Sequence, residues 1–208
     1  MTAPEIQYDS IERQHASVRL GMWVFLGSEL LLFAGLLTLF VAYRFQFPAE
    51  FRAASARANV LIGSVNTFVL LTSSLTVALA IHAARHGRRG QIVMFLATTI
   101  VLGITFDVLK GIEYAEHLAE GIAPGHYYAF DALPAHGAVQ YFTLYYLLTG
   151  LHAIHVTGGL VVLIWLAIKA RRGDFTPQSH IALECGGLYW HLVDVVWLFL
   201  WPLIYLIR

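Results

Sequence analysis

ECGGLYWHLVDVVWLFLWPLIYLI, residues 184–207, decides the fold. From Cys185 to Ile207 the run is 23 residues long, and His191 and Asp194 are its only candidates for a side-chain charge. One helix of that length crosses the roughly 30 Å hydrocarbon core of a bilayer. At about 100° per residue, Glu184, His191 and Asp194 fall on one face, with Trp190, Trp197 and Trp201 beside it. A carboxylate turned toward lipid costs about 3 kcal/mol, so this face is expected to meet protein, bound water or a lipid head-group cavity.

The rest of the chain has the same character. Its 208 residues are 58% hydrophobic and 12% charged, with thirteen Lys/Arg against thirteen Asp/Glu. A soluble domain carries about a quarter charged residues, so the class is a polytopic, all-α membrane protein. Zero net charge argues against nucleic acid, which needs a basic face. A single cysteine, Cys185, excludes a disulfide framework, a cysteine zinc site and covalent c-type haem attachment. Residues 1–19 are polar and read as a tail rather than a cleavable signal, so the first span acts as its own anchor.

Five spans are expected in a bundle over 20–208, at about 20–43, 59–82, 91–117, 138–168 and 185–207. The first is apolar except for Glu29, which shares a face with Gly21 and Ser28. The second has Gly63, Asn66, Thr67, Ser73 and Ser74 along one side, small and hydroxyl residues that let helices approach and hydrogen-bond. In the third, Asp107, Lys110, Glu113 and His117 follow at intervals of three or four. They read as one ionisable stripe, with Asp107–Lys110 and Lys110–Glu113 pairs and a Glu113–His117 contact. A plainer reading is a helix emerging into water. Residues 121–137 form a Gly/Pro-punctuated loop without Lys or Arg. The fourth span lies in an uncharged run of 31 residues, Ala138 to Ile168, that contains His152 and His155. Gly158 and Gly159 permit tight contact there.

Five spans put the termini on opposite sides. Arg13, Arg19, Arg85, Arg88, Arg89, Lys169, Arg171 and Arg172 fall on one side, against Arg44, Arg52, Arg57 and Arg208 on the other. The positive-inside rule then puts the N-terminus in the cytoplasm and the C-terminus outside.

Chemistry could sit on the histidines or the carboxyls. His152, His155 and His191 lie well inside spans, so a bis-histidine haem is conceivable, although interhelical hydrogen bonding explains them more simply. The HxxH spacing at 152–155 offers a metal two ligands but no third. Glu29, Glu113 and Asp194 suit a proton relay or structural hydrogen bonds. His191 and Asp194 are expected in a buried polar contact, with His152 or His155 as partner. No phosphate loop, nucleophile elbow or zinc-protease motif is present. The chain by itself carries no evident active centre.

Five segments, in order, resemble subunit III of the haem–copper terminal oxidases, the cytochrome c oxidase subunit 3 family. They are RLGMWVFLGSELLLFAG at 19–35, NTFVLLTSS at 66–74, KGIEYAEHL at 110–118, LTGLHAIHVTGGL at 148–160 and LYWHLVDVVWLFLW at 188–201. Glu29 matches the family's intramembrane glutamate, and Glu113 with Tyr114 its Glu-Tyr pair. Two helices that begin larger members are absent, so the chain resembles the short bacterial five-helix form. Lys110 stands where many members have a neutral residue.

The resemblance implies a non-catalytic subunit of a proton-pumping oxygen reductase in a bacterial inner membrane. It implies haem and copper on partner subunits and none on this chain. It also implies a cleft that holds phospholipid, and contacts with catalytic subunit I and a copper-bearing or quinol-type subunit II. Glu29 is expected to face protein, against subunit I. Three rivals are the accessory subunit of a nitric oxide reductase, a membrane haem protein using His152, His155 and His191, and a small transporter. The last is disfavoured because no span has a mid-membrane Gly/Pro break.

Overall fold

Capping chemistry sets where the helices begin in the computed structural model, which describes residues 10–130, 133 and 135–207. The Ser10 hydroxyl accepts the amide of Arg13 and opens α1 (Ile11–Gln46). Pro48 starts the short α2 (Pro48–Ser55), where its missing N–H costs nothing. The Asn59 side chain accepts the amides of Leu61 and Ile62 and opens α3 (Val60–Arg85). Gly87, at φ +66°, ends α3 with an Arg88 amide bond back to the Ala83 carbonyl, and α4 (Arg89–Ala119) leaves at once. A 3₁₀ turn at Gly125–Tyr127 interrupts the loop to α5 (Ala135–Arg172), and α6 (Ile181–Tyr205) closes the chain.

All helices but α2 are long and apolar enough to cross a membrane. Exposed threonines return their hydroxyls to the carbonyl one turn back, as Thr38 does to Ala34 and Thr72 to Phe68. Such hydroxyls need no water. Helix α1 starts nine residues before the expected span and takes in the second half of the expected polar tail, from Ile11 onward. Residues 1–9 of that tail, positions 131, 132 and 134 of the expected loop, and Arg208 of the charge balance lie outside the described residues.

Helices α3, α4, α5 and α6 form a ring in which each packs on the next and α6 returns to α3. Contacts fix the directions. Gly63 meets Tyr205, Thr67 bonds Trp197, and Ser73 bonds Trp190, so α3 and α6 run antiparallel. Helix α1 stands outside the ring against α5 and α6, and α2 lies across α5. One bundle end therefore collects Arg19, Arg85, Arg89, Lys169 and Glu184, while the other carries α2 and the end of α6.

The core is aromatic. Trp190 and Trp197 are fully buried. A methyl group at Gly103 or Gly159 would fall 2.8 Å from the Trp190 ring, so α4 and α5 close on this indole only because both positions lack a side chain. At the far end, Ser55 of α2 and Tyr141 of α5 both donate to the Ile204 carbonyl, at 2.7 and 2.8 Å. That carbonyl sits where α6 has no further amide to offer it.

Candidate functional site

A helix outside the ring leaves grooves along its flanks. On one side of α1, Met22, Phe25, Trp165, Cys185 and Tyr189 line an apolar cavity of about 430 Å³. On the other, Trp23, Leu26, Leu30, Leu192 and Val195 line one of about 350 Å³. The second joins, through Leu188 and His191, a polar mouth of about 390 Å³ that includes Arg19, Arg85 and Glu184. There Glu184 meets Arg85 at 3.1 Å, His180 at 3.3 Å and Arg19 at 3.6 Å. The result is a trough with a charged mouth and an apolar floor.

Halfway along the bundle, α1 is tied to α5 by a polar contact. Glu29 Oε2 lies 2.8 Å from His155 Nε2, and the two side chains keep 17% and 14% of their surface. The same imidazole bonds the Leu151 carbonyl through Nδ1 at 2.7 Å. A carbonyl only accepts, so Nδ1 carries a proton. One further proton lies between Nε2 and the carboxyl, on either atom. In both forms the pair is neutral overall, which suits a low-dielectric wall. The arrangement can store a proton and move it across one hydrogen bond.

A second cluster is sealed inside the ring. Lys110 and Glu113 are 2% and 1% exposed and 2.9 Å apart. The three ammonium protons go to Glu113, to Tyr145 at 2.9 Å and to Tyr205 at 2.6 Å. Tyr205 donates in turn to the Glu113 carboxylate at 2.8 Å. The rings of Tyr145 and Trp197 lie 4.6 and 5.5 Å from the ammonium and add cation–π attraction. Three helices thus share one balanced ion pair.

The other expected residues divide. Asp107 does not pair with Lys110. It turns to α5, where Thr157 donates to it at 3.1 Å. Glu113 makes no hydrogen bond to His117 among the described residues, because Lys110 and Tyr205 occupy its oxygens. His117 packs against Phe142 and Tyr145 instead. The expected contact of His191 and Asp194 with His152 or His155 is also replaced. His191 bonds Ser74 of α3 at 2.6 Å, the same hydroxyl is the hydrogen-bonding neighbour of Asp194, and His155 is taken by Glu29. His152 lies between Phe106 and Trp197, its ring nitrogens without a partner among the described residues. Glu29, expected to face another subunit, spends its carboxyl on His155, while Gly21 and Ser28 are exposed.

His152, His155 and His191 therefore point to three different neighbours. Among the described residues no group of three or more His, Cys, Asp or Glu is placed to hold a metal ion. Sequence reasoning passed over Tyr145 and Tyr205, and it named Ser74 as an interhelical hydroxyl without its partner His191. The first two had one usable signal: a lysine inside a membrane helix needs acceptors, and tyrosines near span ends supply them.

The family model for cytochrome c oxidase subunit III matches residues 8–207. A probable cytochrome c oxidase subunit 3 of Mycobacterium tuberculosis is 31% identical over 191 residues, covering 92% of this chain and 88% of the relative. A quinol oxidase subunit 3 of Bacillus spizizenii is 31% identical over 192 residues, covering 90% and 85%. A cytochrome c oxidase subunit 3 of Synechocystis is 30% identical over 195 residues, covering 93% and 77%.

Proposed function

Because this chain belongs to the cytochrome c oxidase subunit III family, whose members are subunits of haem–copper oxidases, we infer that it supports proton uptake and assembly of a terminal oxidase without a redox centre of its own. Haem and copper then reside on catalytic subunit I and on a copper-bearing or quinol-type subunit II. The single observation that carries the proton role is the Glu29–His155 pair that ties α1 to α5. One proton is shared across its hydrogen bond, and both side chains keep part of their surface.

The trough supports the lipid role. Its mouth offers Arg19 and Arg85 to a phosphate, and its floor offers an apolar path to an acyl chain. A phospholipid there would also brace α1, which packs on the ring through α5 and α6. The basic end of the bundle supports a cytoplasmic N-terminus and an outward C-terminus in a bacterial inner membrane. The relatives' names divide between cytochrome c and quinol oxidases, so the electron donor follows from subunit II. The dispersed histidines weigh against a bis-histidine haem on this chain.

The test uses the complex purified from its own membranes. Copurification with a haem–copper catalytic subunit that reduces oxygen supports the assignment, whereas a nitric oxide-reducing partner replaces it with the accessory subunit of that enzyme. In the oxidase, Glu29→Gln should leave subunit composition intact and lower proton pumping or turnover lifetime. Wild-type pumping and lifetime in both Glu29→Gln and Glu29→Ala would reduce the carboxyl to packing.

A further inference from the structure

Asp107 takes no part in the sealed ion pair, the groove or the proton pair. It sits within a turn of the midpoint of α4, and its partner Thr157 sits equally near the midpoint of α5, two residues from His155. This is the depth at which a carboxyl has least recourse to water or head groups. Yet the side chain is only half-buried, on the outer seam of α4 and α5, on a ring face that α1 does not cover. Thr157 donates to Oδ2, while Oδ1 is closed off inside the chain without a partner among the described residues, so only part of the carboxyl can be met from outside.

The surroundings are those of a helix-docking face. Ile104 and Gly111 lie a turn either side of Asp107 on α4, and Ile154 and Val161 flank Thr157 on α5. The three aliphatic side chains are 48%, 69% and 65% exposed. A methyl group at Gly111 would meet nothing within 4 Å, so a second backbone can come close at that point.

We propose that this α4–α5 seam docks a transmembrane helix of a partner subunit that carries a basic side chain opposite Asp107. Charge complementarity selects that occupant. Acyl chains offer the carboxyl no donor. A second copy of this chain offers no cation at this depth, because Lys110 and His152 are buried and His155 is taken by Glu29. A lysine or arginine on the incoming helix neutralises the carboxylate from the part of the side chain that stays accessible. The inference rests on the chain's place in a multisubunit membrane complex, and it adds a face and a partner chemistry to that reading.

The experiment places a photo-crosslinking residue at Ile154 in the native complex and identifies the captured peptide by mass spectrometry. The same residue at Phe68, exposed on α3, is the control. The expected capture at Ile154 is a membrane segment with a Lys or Arg inside its apolar run. Asp107→Asn should lower its yield roughly three- to tenfold. Gly111→Phe should lower it similarly, since a Cβ there meets nothing of this chain within 4 Å and the ring would take the space left for the partner helix. Asp107→Lys should abolish capture, and exchanging the partner's basic residue for Asp should restore it. Capture of lipid, of a second copy or of a helix without a basic residue overturns the proposal, as does an unchanged yield in Asp107→Asn. If catalytic subunits still copurify in that case, the functional assignment stands while this face is given up. If they do not copurify with the wild-type chain, the assignment falls too.

Discussion

Replacing Lys110 with methionine tests the interior of the bundle most sharply. Methionine nearly matches the lysine stem in volume, so packing is kept and the ammonium alone is lost. Three hydrogen bonds disappear, and Glu113, at 1% exposure, loses its cation and keeps the bond from Tyr205. Removing one partner of a buried pair costs about 3–5 kcal/mol, because the other charge is left without compensation. Glu113→Leu should cost a similar amount by stranding the lysine. The double variant, with neither charge, should be far milder than the sum, giving a coupling of at least about 2 kcal/mol. Reversible unfolding in mixed detergent measures all three, with subunit retention as a check in the native complex. Additive losses, or a Lys110→Met variant within about 0.5 kcal/mol of wild type, would refute the claim that this pair ties α4, α5 and α6 together.

Other expectations follow from particular contacts. Gly159→Ala should destabilise by about 1–3 kcal/mol, since its methyl would overlap the buried Trp190 ring, and thermal unfolding in detergent reads it. Ser74→Ala removes the hydrogen bond to His191 and should cost about 0.6 kcal/mol, or up to about 2, in the same assay. Asn59→Ala should cost about 1 kcal/mol by freeing the two amides that the side chain caps, seen as faster amide exchange at the start of α3.

Much of the architecture was legible because a bilayer leaves few options. Five apolar runs had to be helices, and the hydroxyls and glycine of the second span had to face another helix, which is α6. The ionisable stripe was harder to read. Residues three apart on a helix differ by about 60° in direction, and six apart by about 120°. That is enough to turn Glu113 and Lys110 into the ring while Asp107 looks out along the α5 seam. The partners of His191 and His155 were not legible. Ser74 is 117 residues from His191, and Glu29 is 126 from His155. Which hydroxyl or carboxyl meets which ring is set by the order of helices around the bundle, and no local spacing carries that order.

The seat of Tyr205 on the sealed ion pair has a consequence for biosynthesis. A chain made from its N-terminus inserts α4 well before α6 exists, since Tyr205 follows Glu113 by 92 residues. At about 5–20 residues per second, α4 waits roughly 5–18 s for its last hydrogen-bond partner. Lys110 and Glu113 can spend that interval neutralising each other, because they lie on the same helix, three residues apart. A lysine whose acid lay on another span would have to enter lipid alone. Placing both charges on α4 lets the Lys110–Glu113 pair leave the insertion machinery already neutralised and recruit its tyrosines as later helices arrive.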